Sequence, residues 1–77
     1  MKTIDKNINR IMEVMGAHHL PDDILMEAYH ILFGRKEQKS MIDKAAEMRL
    51  IIRGDIRPRC DFSNWVSAIR FLAQHCD

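Results

Sequence analysis

The side chains of this chain best suited to chemistry are four histidines (His18, His19, His30, His75) and two cysteines (Cys60, Cys76). Metal binding would need several of them at the paired spacing of a zinc finger or on one face of an HExxH helix. They are not so placed. His18 and His19 are adjacent, His30 falls inside a helical pattern, and His75 and Cys76 are neighbours. Nucleophilic catalysis needs a thiol beside a base, and only the fold can bring one of these cysteines to a histidine. The sequence has no glycine-rich phosphate loop and no GxSxG. A chain of 77 residues also leaves little room for a pocket that excludes water. The expectation is therefore a protein that is not an enzyme, with no catalytic residue, no metal ligand and no cofactor. Cys60 and Cys76 lack a CxxC spacing and are expected to be two reduced thiols of a cytoplasmic protein, a disulfide between them being the lesser alternative.

A second kind of chemistry, recognition of anions, is written more strongly. Residues 1–34 carry three basic and five acidic side chains, and residues 61–77 one and two. Residues 35–60 carry eight basic and four acidic ones, so positive charge concentrates in the middle third. Its densest part is RLIIRGDIRPRC, Arg49 to Cys60. Arginine's planar fork fits carboxylates and phosphates alike, which makes Arg49, Arg53, Arg57 and Arg59 the candidate partner-binding residues. Asp55 and Asp61 sit within or beside the cluster, whereas a surface for the phosphate backbone is usually free of acids. An acidic patch on another protein is the expected partner, and a solvated charged face that binds nothing is the equal reading beside it. Nucleic acid is the alternative, through a helix-turn-helix whose turn is Phe33-Gly34-Arg35-Lys36 and whose recognition helix opens with Lys36, Gln38, Lys39 and Ser40, which makes Arg35, Lys36, Gln38 and Lys39 the candidate contacts. A winged variant would pair LII with IRPRC as a hairpin across RGD, but Pro58 restricts that second strand to a sheet edge. A helix end followed by an irregular loop is preferred there.

The elements that would position these residues are four short helices. The first, about Thr3 to Met15, has Ile4, Ile8, Ile11, Met12 and Met15 in one stripe, with Thr3 as cap and Gly16 as stop. The second follows Pro21 and runs to Phe33, burying Ile24, Leu25, Ala28, Ile31 and Leu32, with Tyr29 or Phe33 at the border. The third is expected over about Lys36 to Ile52, with Met41, Ala45, Met48 and Ile52 inward, Ile42 and Ala46 widening the stripe, and Lys44 outside. The fourth starts near Asp61 or Ser63 and runs onward, with Trp65, Ile69, Leu72, Ala73 and Cys76 inward. Trp65 on that stripe is expected in the core rather than stacked on a base. Ile51 or Ile52, and Ile56, are expected to fold inward and leave Arg53, Arg57 and Arg59 as an outer ridge.

Short connections favour antiparallel neighbours, hence one all-α domain over residues 1–77: a compact bundle with an irregular Arg-rich connection before its last helix. A hydrophobic fraction of 47% with 30% charged residues suits a globular chain rather than a disordered one. The size lies near the lower limit for a core that holds a fold unaided. Six methionines add flexible filler to a core with few aromatics, so a homodimer is expected to complete it. No apolar run exceeds three residues, and Met1–Ile11 has no continuous apolar stretch, so neither a membrane span nor a secretory signal is expected. Together these features describe a small regulatory or adaptor protein that binds another protein.

Overall fold

The computed structural model describes residues 10–76. Helix α1, described over 10–14, ends where Gly16 turns left-handed at φ 78°. A single 3-10 turn follows, Ala17–His19, and then helix α2, Asp22–Phe33. Pro21 stands at the α2 N-cap, and its carbonyl accepts from the Ile24 and Leu25 amides. Asp22 and Asp23 place negative charge on the positive end of the helix dipole. Gly34, at φ 82°, ends α2. Helix α3 spans Met41–Arg53 and helix α4 spans Phe62–Gln74. The described residues contain no strand, and the protein is an all-α bundle. Its radius of gyration, 11.2 Å, is close to the roughly 11.5 Å of a compact domain this long.

The third helix begins five residues later than its apolar pattern suggests. The Ser40 hydroxyl accepts from the Asp43 amide at 3.1 Å, a regular N-cap, which fixes the start at Met41 and leaves residues 35–40 non-helical. At the other end the apolar triplet Leu50-Ile51-Ile52 breaks the helical period and allows a short extended segment, but the helix runs through it to Arg53. Gly54 closes the helix at φ 86°, with Gly54 N–H donating to the Ile51 carbonyl and Asp55 N–H to the Leu50 carbonyl. LII is therefore helical, and the hairpin wing is ruled out over this stretch. The loop 55–61 leads directly to α4.

Helix α2 packs against both α3 and α4, and α3 also touches the 3-10 turn. The core takes Met12 and Ala17 from the first segment and Leu25, Ala28, Tyr29 and Leu32 from α2. Helix α3 contributes Ala45, Met48, Ile51 and Ile52, and α4 contributes Trp65, Ala68 and Leu72. Four expectations need correction, the first being Ile11 of the α1 stripe, which is 55% exposed while Met12 beside it is buried. Tyr29 is core, not border, while Ile24 and Ile31 are half-buried. On α3 the buried stripe is rotated: Lys44 and Ile51 are inside, and Met41, Ile42 and Ala46 are exposed. The late start explains part of this, because Met41 and Ile42 become the helix's first turn. On α4 Ala68 is buried and Ala73 exposed, which narrows the stripe to the side facing α2. Ile4, Ile8 and the Thr3 cap lie outside the described residues.

Candidate protein-binding cleft

The four arginines of the Arg49–Cys60 stretch separate into three situations. Arg49 is engaged within the fold. Its Nε donates to the His18 carbonyl at 3.0 Å, and one terminal nitrogen donates to the Leu20 carbonyl at 3.2 Å and to Asp22 Oδ1 at 2.7 Å. One guanidinium thus ties α3 to the 3-10 turn and to the first turn of α2, satisfying two carbonyls that no helix can. Arg53 lies 3.8 Å from Asp55, and both are over half exposed, so the pair contributes little. Arg57 and Arg59 have no carboxylate within ion-pair distance among the described residues.

Arg57 and Arg59 flank a cleft of about 290 Å³. Tyr29 and Phe33 from α2 and Ile51 from α3 make its apolar floor. The 56–59 loop forms one wall with Ile56, Arg57, Pro58 and Arg59, and Glu37 and Lys39 form the other. Sequence explains the construction locally. Pro58 fixes its own φ and extends Arg57, so the loop cannot coil back into helix. Tyr29 and Phe33, four apart on α2, stack at 4.7 Å between ring centroids with a 53° tilt. Ile51 is fully buried beneath the cleft, while Ile56 keeps 37% of its surface exposed. The inward placement expected of Ile51 and Ile52 therefore holds, and Ile56 is only partly inserted.

Burial pushes the Tyr29 hydroxyl pKa up, with the nearby Lys39 ammonium, 5.8 Å from the ring centre, opposing the shift. Lys39 donates to Glu47 at 2.8 Å, and that bond is the main cause holding its ammonium above its ordinary value. Lys39 is thus spent on a carboxylate of the cleft's own lining. Glu37 has no cation within ion-pair distance among the described residues. The 56–59 loop thus brings two arginines to the lining, and the rest of the lining brings Glu37, Glu47 and Lys39.

Beside the cleft lies a second cationic group. Lys44 is 6% exposed, and its ammonium sits 2.8 Å from His30 Nε2 and 5.7 Å from the centre of the Tyr29 ring. An ammonium only donates, so Nε2 must accept and the proton of a neutral ring lies on Nδ1. The Arg35 guanidinium, 3.3 Å from that Nδ1, then has no acceptor there and directs its charge to Glu27, also at 3.3 Å. Burial lowers the His30 pKa first, with Lys44 and Arg35 adding to the shift.

The residues of the nucleic-acid alternative take a different setting from the one a recognition helix needs. Arg35, Lys36, Gln38 and Lys39 are exposed, all in the 35–40 connection before α3 begins. Trp65, 4% exposed, has no face for a base, whereas Phe62 is exposed. No group of three His, Cys, Asp or Glu side chains able to hold a metal occurs among the described residues. The His18 and His19 ring centres lie 4.0 Å apart, and the buried His18 Nδ1 has no hydrogen-bond partner among the described residues. Cys60 and Cys76 are half-buried against the core.

Sequence reasoning located the basic wall but missed the floor and the Lys44–His30 contact. Tyr29 and Phe33 at i,i+4 were the available signal for the floor. Nothing in the sequence pairs His30 with Lys44, fourteen residues apart across two helices. Compared with protein-family models, with curated proteins and with solved structures, the chain matches none.

Proposed function

We propose that this is a small non-enzymatic regulatory or adaptor protein of the cytoplasm that works by binding another protein and itself. The observation that carries the proposal is the pairing of a partly apolar cleft with two arginines, Arg57 and Arg59, that have no counter-charge among the described residues. Arginine is favoured at protein interfaces because its fork recognises carboxylates while its stem packs on apolar surface. No helix is long and apolar enough to cross a membrane among the described residues, and two cysteines without CxxC spacing suit a reducing compartment.

A titration with random duplex DNA at two salt concentrations tests this against the nucleic-acid alternative. The expected result is weak binding that disappears at physiological salt. Tight binding that falls log-linearly with salt, and weakens further in Lys36→Glu/Lys39→Glu, would replace the adaptor by a nucleic-acid binder.

A further inference from the structure

We propose that the cleft takes an extended peptide segment in which one bulky apolar side chain is flanked by carboxylates. The inference rests on the adaptor proposal and names the partner's chemistry. Three independent features of the cleft define the ligand. Its accessible apolar lining is the half-buried Phe33 and the exposed Ile56, over the buried Tyr29 and Ile51, and a volume of about 290 Å³ suits one or two large side chains rather than a helix. Its 56–59 wall presents two arginines without a carboxylate among the described residues. Both walls are irregular backbone: no amide of residues 35–39, 57 or 59 donates a backbone hydrogen bond among the described residues. An extended main chain lying between such walls finds donors and acceptors on either side, as strand-adding ligands do at a sheet edge.

The acids of the cleft set the orientation. Glu47 is neutralised by Lys39 at 2.8 Å, but Glu37 is not paired among the described residues. A ligand carboxylate is repelled from the Glu37 wall and drawn to the Arg57–Arg59 wall. The apolar side chain then points down onto Tyr29 and Phe33, and the acidic flank runs along the 56–59 loop. Phosphate esters meet the same arginines, but a phosphate alone leaves the apolar floor unfilled, so the carboxylate-flanked apolar segment is the occupant that uses the whole cleft.

The probe is a capped peptide with a central leucine and acidic residues on both sides, followed by amide chemical shifts of the intact protein. Expected are shifts at Phe33, Ile51, Ile56 and Arg59, and a loss of affinity of about tenfold or more in Arg57→Glu/Arg59→Glu. Circular dichroism verifies that the double variant keeps its helices. As a second readout, replacing the central leucine by serine should cost the peptide a similar factor in the unaltered protein. Equal binding of the serine peptide, or unchanged affinity in the double variant, overturns the inference. Shifts confined to exposed apolar residues elsewhere, such as Val14 or Phe62, overturn the cleft as the site while leaving the adaptor proposal standing. Tight duplex DNA binding in the salt titration instead sinks the adaptor proposal itself.

Discussion

At the scale of single residues, the Lys44–His30 contact dictates a pH response. His30 has its pKa lowered in the folded protein by burial, then by Lys44 and Arg35, with Glu27 opposing. A depressed folded value means the unfolded chain binds the proton more readily. The contribution of His30 to stability is therefore present above the ordinary histidine range, about pH 6.5, and is lost as pH falls through its lower folded value. Acidification should lower the melting temperature, because an imidazolium cannot accept from the Lys44 ammonium 2.8 Å away. His30→Gln keeps an acceptor near the position of Nε2 and removes the titration. Melts at pH 7.5 and 5.5 should then differ less in His30→Gln than in the unaltered protein, which also controls for His18, His19 and His75. An equal fall in both proteins would remove His30 as the cause. Lys44 makes a companion case. Among the described residues its ammonium meets an imidazole and a ring face and no carboxylate, so it gains little from its charge. Lys44→Met should preserve the melting point or raise it by up to ~1 kcal/mol equivalent, whereas Lys44→Ala should lower it through lost packing.

At the scale of elements, the ends of α3 decide where the cleft walls begin. The Ser40 hydroxyl holds the start, and Ser40→Ala should cost about 1 kcal/mol in a urea melt. Gly54 holds the stop at φ 86°, a conformation that places a Cβ against the next carbonyl, so Gly54→Ala should cost about 1–2 kcal/mol. Both variants should also move Arg57 and Lys39 relative to the floor and weaken the leucine peptide, a readout that a mere loss of stability would not reproduce under native conditions. These ends also show how much of the element plan was legible in the sequence. Gly16, Pro21, Gly34 and Gly54 punctuate the chain where the structure turns, because glycine and proline act through local sterics that no tertiary contact needs to supply. The start of α3 was misplaced because Lys36, Gln38 and Lys39 are acceptable helix formers, and only the Ser40 cap stops them from joining. Its buried face was misjudged because Lys44 pattern-matches as solvent-facing, while its stem and ammonium are accommodated by His30 and Tyr29 on the neighbouring helix. The arginines show the same limit. Sequence placed four of them in one stretch, but only the packing of the 3-10 turn against α3 shows that Arg49 is spent internally.

At the scale of the whole molecule, the bundle buries its core but leaves large apolar side chains outside. Val14 is 81% exposed and Ile11 55%, while Met12 between them is fully buried. Ile11 and Val14 stand three apart, so they share a side of α1. Ile42 on α3 and Phe62 at the start of α4 are also mostly exposed. Singly, such residues are unremarkable on a protein surface. On a chain of 77 residues, near the size at which one core barely sustains a fold, covering them is a means of adding stability, each large side chain contributing roughly 1.5–3 kcal/mol when fully buried. A homodimer that covers the Ile11–Val14 side of α1 is therefore expected at micromolar concentration, with a melting temperature that rises with protein concentration. The cleft floor of Tyr29, Phe33 and Ile51 belongs to α2 and α3, so dimerisation through α1 would leave it available to a peptide. Val14→Glu should shift the sedimenting species to 9.1 kDa and abolish the concentration dependence, without reducing helicity or leucine-peptide affinity. A 9.1 kDa species throughout the micromolar range in the unaltered protein would mean that the bundle stands alone and that Ile11 and Val14 are simply solvated.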